Sequence, residues 1–100
     1  MNLVLLTIVA PARLKDELLE LLLNHPQWVT GFTVSPAEGH GADLAFRTLT
    51  DQVRGREDRI RIECVVETAN VPALQGLIKR DLPNCNVVCW VIPVLEFGKC

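Results

Sequence analysis

The sequence predicts a chain of the α+β class, built from two β-α-β halves that share one antiparallel sheet. Three observations predict it. Two stretches carry leucines at helical spacing: Leu14, Leu18, Leu21 and Leu22, then Leu74, Leu77 and Ile78. Each lies between runs rich in β-branched and aromatic residues. One of those runs, residues 59–66, alternates strictly between apolar and charged side chains over most of its length, which is the period of a half-buried strand. The resulting order is β-α-β-β-α-β, the ferredoxin-like pattern: a four-stranded antiparallel sheet with two helices on one face.

The first strand is Leu3 to Val9, apolar on both faces. Its apolar run is eight residues long, passes directly into a helix and has no Lys or Arg before it, so we read it as a strand and not as a leader. Pro11 suits the first position of the helix that follows, which runs to about Leu23. Asp16 and Glu17 lie near its positive end, and Asn24-His25-Pro26 stops it, with His25 placed to cap the negative end of the dipole. The second strand is expected from Trp28 to Val34, with Ser35-Pro36 ending the ladder because proline has no N–H to donate. Residues 36–57 then read as a long polar loop, with room for a hairpin around Leu44 to Leu49; a loop of this length in a small domain is functional or disordered. The third strand puts Ile60, Ile62, Cys64 and Val66 on one face and Arg59, Arg61, Glu63 and Val65 on the other. The second helix starts near Asn70-Val71-Pro72 and ends at Leu82-Pro83, with Gly76 weakening it or allowing a close approach. The last strand is expected from Asn86 to Glu96, and Pro93 within it implies an edge.

Composition narrows the function. One hundred residues fit a single domain, 1–100, able to bury a respectable core. A net charge of -2 makes no general case for nucleic acid, so an anion site has to be a local patch. Cysteines stand at 64, 85, 89 and 100 without a C-x-x-C pair, which argues for reduced thiols in a cytoplasmic protein. No apolar run is long enough to span a bilayer.

The two outer-sequence strands carry apolar residues on both faces. Leu3, Leu5 and Val9 oppose Val4, Leu6 and Ile8; Val87, Cys89 and Val91 oppose Val88, Trp90, Ile92 and Val94. Helices cover one sheet face only, so a large apolar patch stays open, and monomers rarely tolerate one. A homo-oligomer that buries the open face is expected.

Candidate chemistry gathers around residues 39–61. In Gly39-His40-Gly41 the backbone N–H groups suit an anion, with His40 as a donor or a metal ligand; a plain turn is the alternative. Arg54, Arg56, Arg59 and Arg61 offer guanidinium forks for phosphate or carboxylate, although Glu57, Asp58 and Glu63 are interleaved and could pair with them. Arg59 and Arg61 share a strand face and are the stronger candidates. Cys64 and Cys89 read as core thiols. Cys85 and Cys89, placed on one strand, would lie ~13 Å apart, too far for one disulfide or one metal ion. Cys100 is terminal and expected to be exposed, a candidate metal or redox group together with Cys85, with an untethered tail residue as the favoured alternative. There is no Ser/His/Asp pattern, no P-loop and no motif-placed carboxylate pair, so an enzyme is not expected.

Four pieces of the chain, in order, resemble the PII signalling proteins and their PII-like relatives. They are Pro11-Ala12-Arg13-Leu14 leading into the first helix, the strand Gly31-Phe32-Thr33-Val34, the turn Gly39-His40-Gly41, and Arg59-Ile60-Arg61-Ile62-Glu63-Cys64-Val65-Val66, which is similar to the family's Lys-x-Lys-Ile-Glu strand with Arg for both Lys. The resemblance implies a homotrimer with its sheets facing inward. It implies effector-binding clefts between subunits to which Thr33, Gly39, Gly41 and Arg59 would correspond, with an adenine nucleotide or another anion as the effector. It also implies that residues 41–57 resemble the flexible T-loop, which engages a partner protein such as a membrane transporter or efflux component.

The chain departs from the PII pattern at several points. The loop has no Tyr, and Asp43 stands where the family has glutamine. Asp81-Leu82-Pro83-Asn84-Cys85-Asn86 replaces the Gly-rich basic loop before the last strand, and the basic residues after that strand are missing. These differences make it more similar to a divergent PII-like branch, some members of which are associated with heavy-metal efflux, with a more distant likeness to the CutA family. The alternative function is therefore a metal-responsive binder, with a divalent metal held by His40 or Cys100.

Overall fold

The computed structural model describes residues 2–40 and 57–100. Along the chain lie β1 (Leu3–Pro11), a 3-10 turn (Ala12–Leu14), α1 (Lys15–Leu23), β2 (Thr33–Gly39), β3 (Glu57–Glu67), a second 3-10 turn (Thr68–Asn70), α2 (Val71–Asp81) and β4 (Val88–Pro93). The sheet order is β2-β3-β1-β4 and every pairing is antiparallel. This is the expected ferredoxin-like arrangement.

Register explains the core. Val4 stands opposite Val66, Leu6 opposite Cys64, Ile8 opposite Ile62 and Ala10 opposite Ile60. All eight are buried, and they form one cluster with Leu14, Leu18, Leu21 and Leu22 from the α1 side and Val71, Leu74 and Ile78 from α2. The alternation in residues 59–66 thus set one strand face against the helices, as the period of two requires. Gly76 lies exposed in α2, and a Cβ there would meet nothing within 4 Å among the described residues, so it serves no close approach among them.

Element ends differ from the sequence expectation. Pro11 does not open α1; it is the last residue of β1, and a 3-10 turn intervenes before the helix. β2 begins at Thr33 rather than Trp28 and runs through Pro36 to Gly39, where Pro36 pairs with Ile60. The proline is accommodated because β2 is an edge strand, so its missing N–H needs no partner on the outer side. Residues 36–39 and Glu57 therefore belong to the β2–β3 ladder and not to a loop. The hairpin expected at Leu44 to Leu49 lies outside the described residues. β4 is shorter than the run Asn86 to Glu96, and Pro93 closes it on the sheet's other edge.

The segment between α1 and β2 is a turn. Trp28 and Val29 donate backbone hydrogen bonds to the His25 carbonyl at 3.1 and 3.0 Å. The His25 ring stacks on Trp28, centroids 5.1 Å apart and 6° from parallel, and its Nδ1 lies 3.3 Å from Gln27 Nε2. Its side chain thus holds the turn together, where the sequence suggested a helix-dipole cap.

Candidate functional site

Thr33, Gly39, Arg59 and Arg61 lie along one face of the sheet. Residues paired across the ladders share a face, so Leu5, Val65 and Ile92 stand together, as do Thr7, Glu63, Trp90 and Thr33, and Val9, Arg61, Val88 and Ser35. Val88, Trp90 and Ile92 are 48%, 45% and 50% exposed, a stripe of large apolar side chains in water along β4. Phe97, beyond β4, lines a depression of about 470 Å³ with Leu5, Phe32, Thr33 and Val65 on this same face.

Thr33 and Gly39 are the two ends of β2. Six residue-to-residue steps of strand separate them, or ~20 Å at the usual rise. Thr33 lies exposed opposite Glu63; Gly39 is buried opposite Glu57. His40 follows directly and is exposed, its Nε2 3.2 Å from Glu38 Oε2. Gly41, with Arg54 and Arg56, lies outside the described residues, as does all of the 41–57 segment except Glu57.

The two arginines of β3 have opposite surroundings. Arg61 is exposed and, among the described residues, has no hydrogen-bond or ion-pair partner. Arg59 is 4% exposed. Its Nη1 donates to Glu57 Oε1 at 3.2 Å, and its Nη2 donates to the carbonyls of Asn86 at 2.7 Å and Val9 at 3.3 Å. Sequence reasoning put both on one face, as the ladder does, but could not see that one is enclosed. A depression of about 570 Å³ beside Arg59 is lined by Lys15, Pro36, Ala37, Glu38 and Asp58. Its charge is mixed, so it does not by itself single out an anion.

The loop between α2 and β4 includes Cys85, a sequence candidate for metal or redox chemistry together with Cys100. It carries Asn84 and Asn86 in the left-handed region, at φ 57° and 59°, and folds around a depression of about 330 Å³ with Ile78 and Lys79. The pair of asparagines was its signal, since Asn is among the few residues that enter that region readily.

The thiols divide by burial. Cys64 is 3% exposed, and desolvation pushes its pKa up from 9.0 to about 11. Cys89 is only half-buried and accepts from Gln75 Nε2 at 3.7 Å, so it is a rim residue and not a full core thiol; β4 lies at the sheet edge, which leaves its outer side uncovered. Cys85 Sγ donates to the Pro83 carbonyl at 3.3 Å, and Cys100 is exposed. Among the described residues no three His, Cys, Asp or Glu side chains group as metal ligands would, His40 and Cys100 included. Among them, too, no helix is long and apolar enough to cross a membrane.

A family model described as "Protein of unknown function (DUF3240)" matches residues 1–100. No curated protein matches the sequence. Among solved structures, the chain is similar to a DUF3240 family protein from Shewanella baltica OS155, at 18% identity and TM-score 0.76 over 100% of this chain and 98% of the other. It is similar to CPII from Thiomonas intermedia K12, a nitrogen regulatory PII-like protein bound to ADP, AMP and bicarbonate, at 20% identity and TM-score 0.74 over 100% and 97%. It is also similar to the GlnK–ATP complex of B. subtilis, at 22% identity and TM-score 0.65 over 94% and 85%. At these identities the likeness is one of fold.

Proposed function

The chain belongs to the DUF3240 family, and from that premise we propose that it is a PII-like regulatory protein that takes a small effector in clefts between the subunits of a homotrimer. The effector is an adenine nucleotide or another small anion; the PII-like protein of the same fold from Thiomonas intermedia holds ADP, AMP and bicarbonate. Thr33, Gly39, His40, Gly41 and Arg61 contact it, Arg59 stands behind them, and residues 41–57 engage a partner protein in the cytoplasm.

One observation carries this reading. Thr33 and Gly39 sit at opposite ends of a single strand, ~20 Å apart, so one small ligand reaches both only if each comes from a different copy. The exposed stripe of Val88, Trp90 and Ile92 gives such copies a surface to share. Binding in the cleft would then change the order of a segment that leaves its rim, the usual way a loop is switched.

Isothermal titration with ADP, AMP, ATP and bicarbonate tests the reading. Heat with at least one of them, weakened about tenfold or more in Thr33→Ala and Arg61→Gln, is expected. Absence of heat with all four removes the nucleotide and bicarbonate version.

A further inference from the structure

We propose that Arg59 is a positioning residue, a bracket that pins the loop before β4 to the ends of β1 and β3. It is not the arginine that meets the effector. The claim deepens the regulatory reading and rests on it for what the loop serves; the bracket itself is tested without any ligand.

Each of the three acceptors of Arg59 comes from a different place. Glu57 begins β3, Val9 lies near the end of β1, and Asn86 precedes β4, 27 positions away from Arg59 in sequence. The contact to Asn86 is the shortest, 2.7 Å, in the range of a charge-assisted bond. Asn86 reaches it from a left-handed conformation at φ 59°, and Asn84 two residues earlier is left-handed as well. The loop belongs to no helix or strand, and the bond from Arg59 to Asn86 ties its end to β3. Burial makes the anchor stiff: the pair of Arg59 and Glu57 is 4% and 8% exposed at the side chains, where solvent screens little. Both terminal nitrogens of Arg59, Nη1 and Nη2, already donate to groups of the protein. Arg61, exposed and unpartnered among the described residues, is the β3 guanidinium left for an anion.

Consequently the loop and the start of β3 move together. A ligand that draws Glu57 or the Asn86 carbonyl away from Arg59 alters both at once, which gives the α2–β4 loop a physical link to the β2–β3 ladder end at Gly39 and Glu57.

The thiols supply the test. Cys85 lies in the loop, Cys89 at the start of β4, Cys64 in the core, and Cys100 is exposed. Alkylation rates for each are read by mass spectrometry on the full chain, in wild type, Arg59→Lys and Arg59→Gln, with no effector present. Lysine keeps the charge facing Glu57 but lacks the fork that reaches two carbonyls. We expect Cys85 and Cys89 to react about tenfold faster in both variants, the loss of one charge-assisted bond, while Cys64 stays protected and Cys100 is unchanged. Should Cys64 become reactive in Arg59→Gln, that variant has unfolded and Arg59→Lys alone decides. Unchanged Cys85 and Cys89 rates in a variant whose Cys64 is protected overturn the bracket. Failure of every effector to bind, with the accelerated rates intact, removes the regulatory reading and leaves the bracket standing.

Discussion

Cys64 shows how one side chain reports its surroundings. Its thiol lies in the buried cluster and donates to the Leu6 carbonyl at 3.9 Å. With its pKa raised to about 11, the folded chain keeps a proton that the unfolded chain gives up near 9.0. The stabilisation this contributes is complete below about pH 9 and is lost as pH climbs toward 11. The urea midpoint of wild type should therefore fall faster between those pH values than that of Cys64→Val. Parallel curves would show that the thiol ionises freely in the folded state. Asn86 is the second residue-scale case. At φ 59° a Cβ without a short polar side chain is costly, so Asn86→Ala should lose about 1–2 kcal/mol in denaturant unfolding and Asn86→Gly much less.

At the scale of elements, leucine spacing in the helices and alternation in β3 translated directly into burial. Leu18, Leu22 and Leu74 are fully enclosed, and Leu18→Ala should cost about 2–5 kcal/mol in urea. Gly76 is the opposite case, exposed with open space around it. Gly76→Ala should stabilise α2 by about 0.5–1 kcal/mol, measured as a higher midpoint, because alanine is the better helix former. The strand ends were less legible. Pro36 looks like a terminator when read locally, yet it sits within β2 because that strand has an outer side with no ladder partner. Sequence gives the propensity of Pro; only the sheet order says which of its sides is vacant.

The whole molecule presents a sheet with helices on one side and large apolar side chains exposed along β4 on the other. If copies of the chain share that face, Trp90→Glu should shift sedimentation to a single-chain particle, while a change on the outer helix surface such as Leu23→Glu, at 67% exposure, should leave the assembly size alone. A wild-type chain that already sediments as a monomer at micromolar concentration would refute both the assembly and the cleft that depends on it.

The sequence by itself determined the order of elements, the buried faces of the helices and of β3, and the excess of apolar residues on the open side, because those follow from periods of 2 and 3.6 that any reader of the chain can count. Tertiary structure decided the rest. Arg59 and Arg61 are two residues apart on one face, and nothing local distinguishes them; one is enclosed by Glu57, Val9 and Asn86, the other is left in water. That difference comes from a loop 27 positions along the chain, and burial brought about by distant chain leaves no periodic mark on the residues it covers.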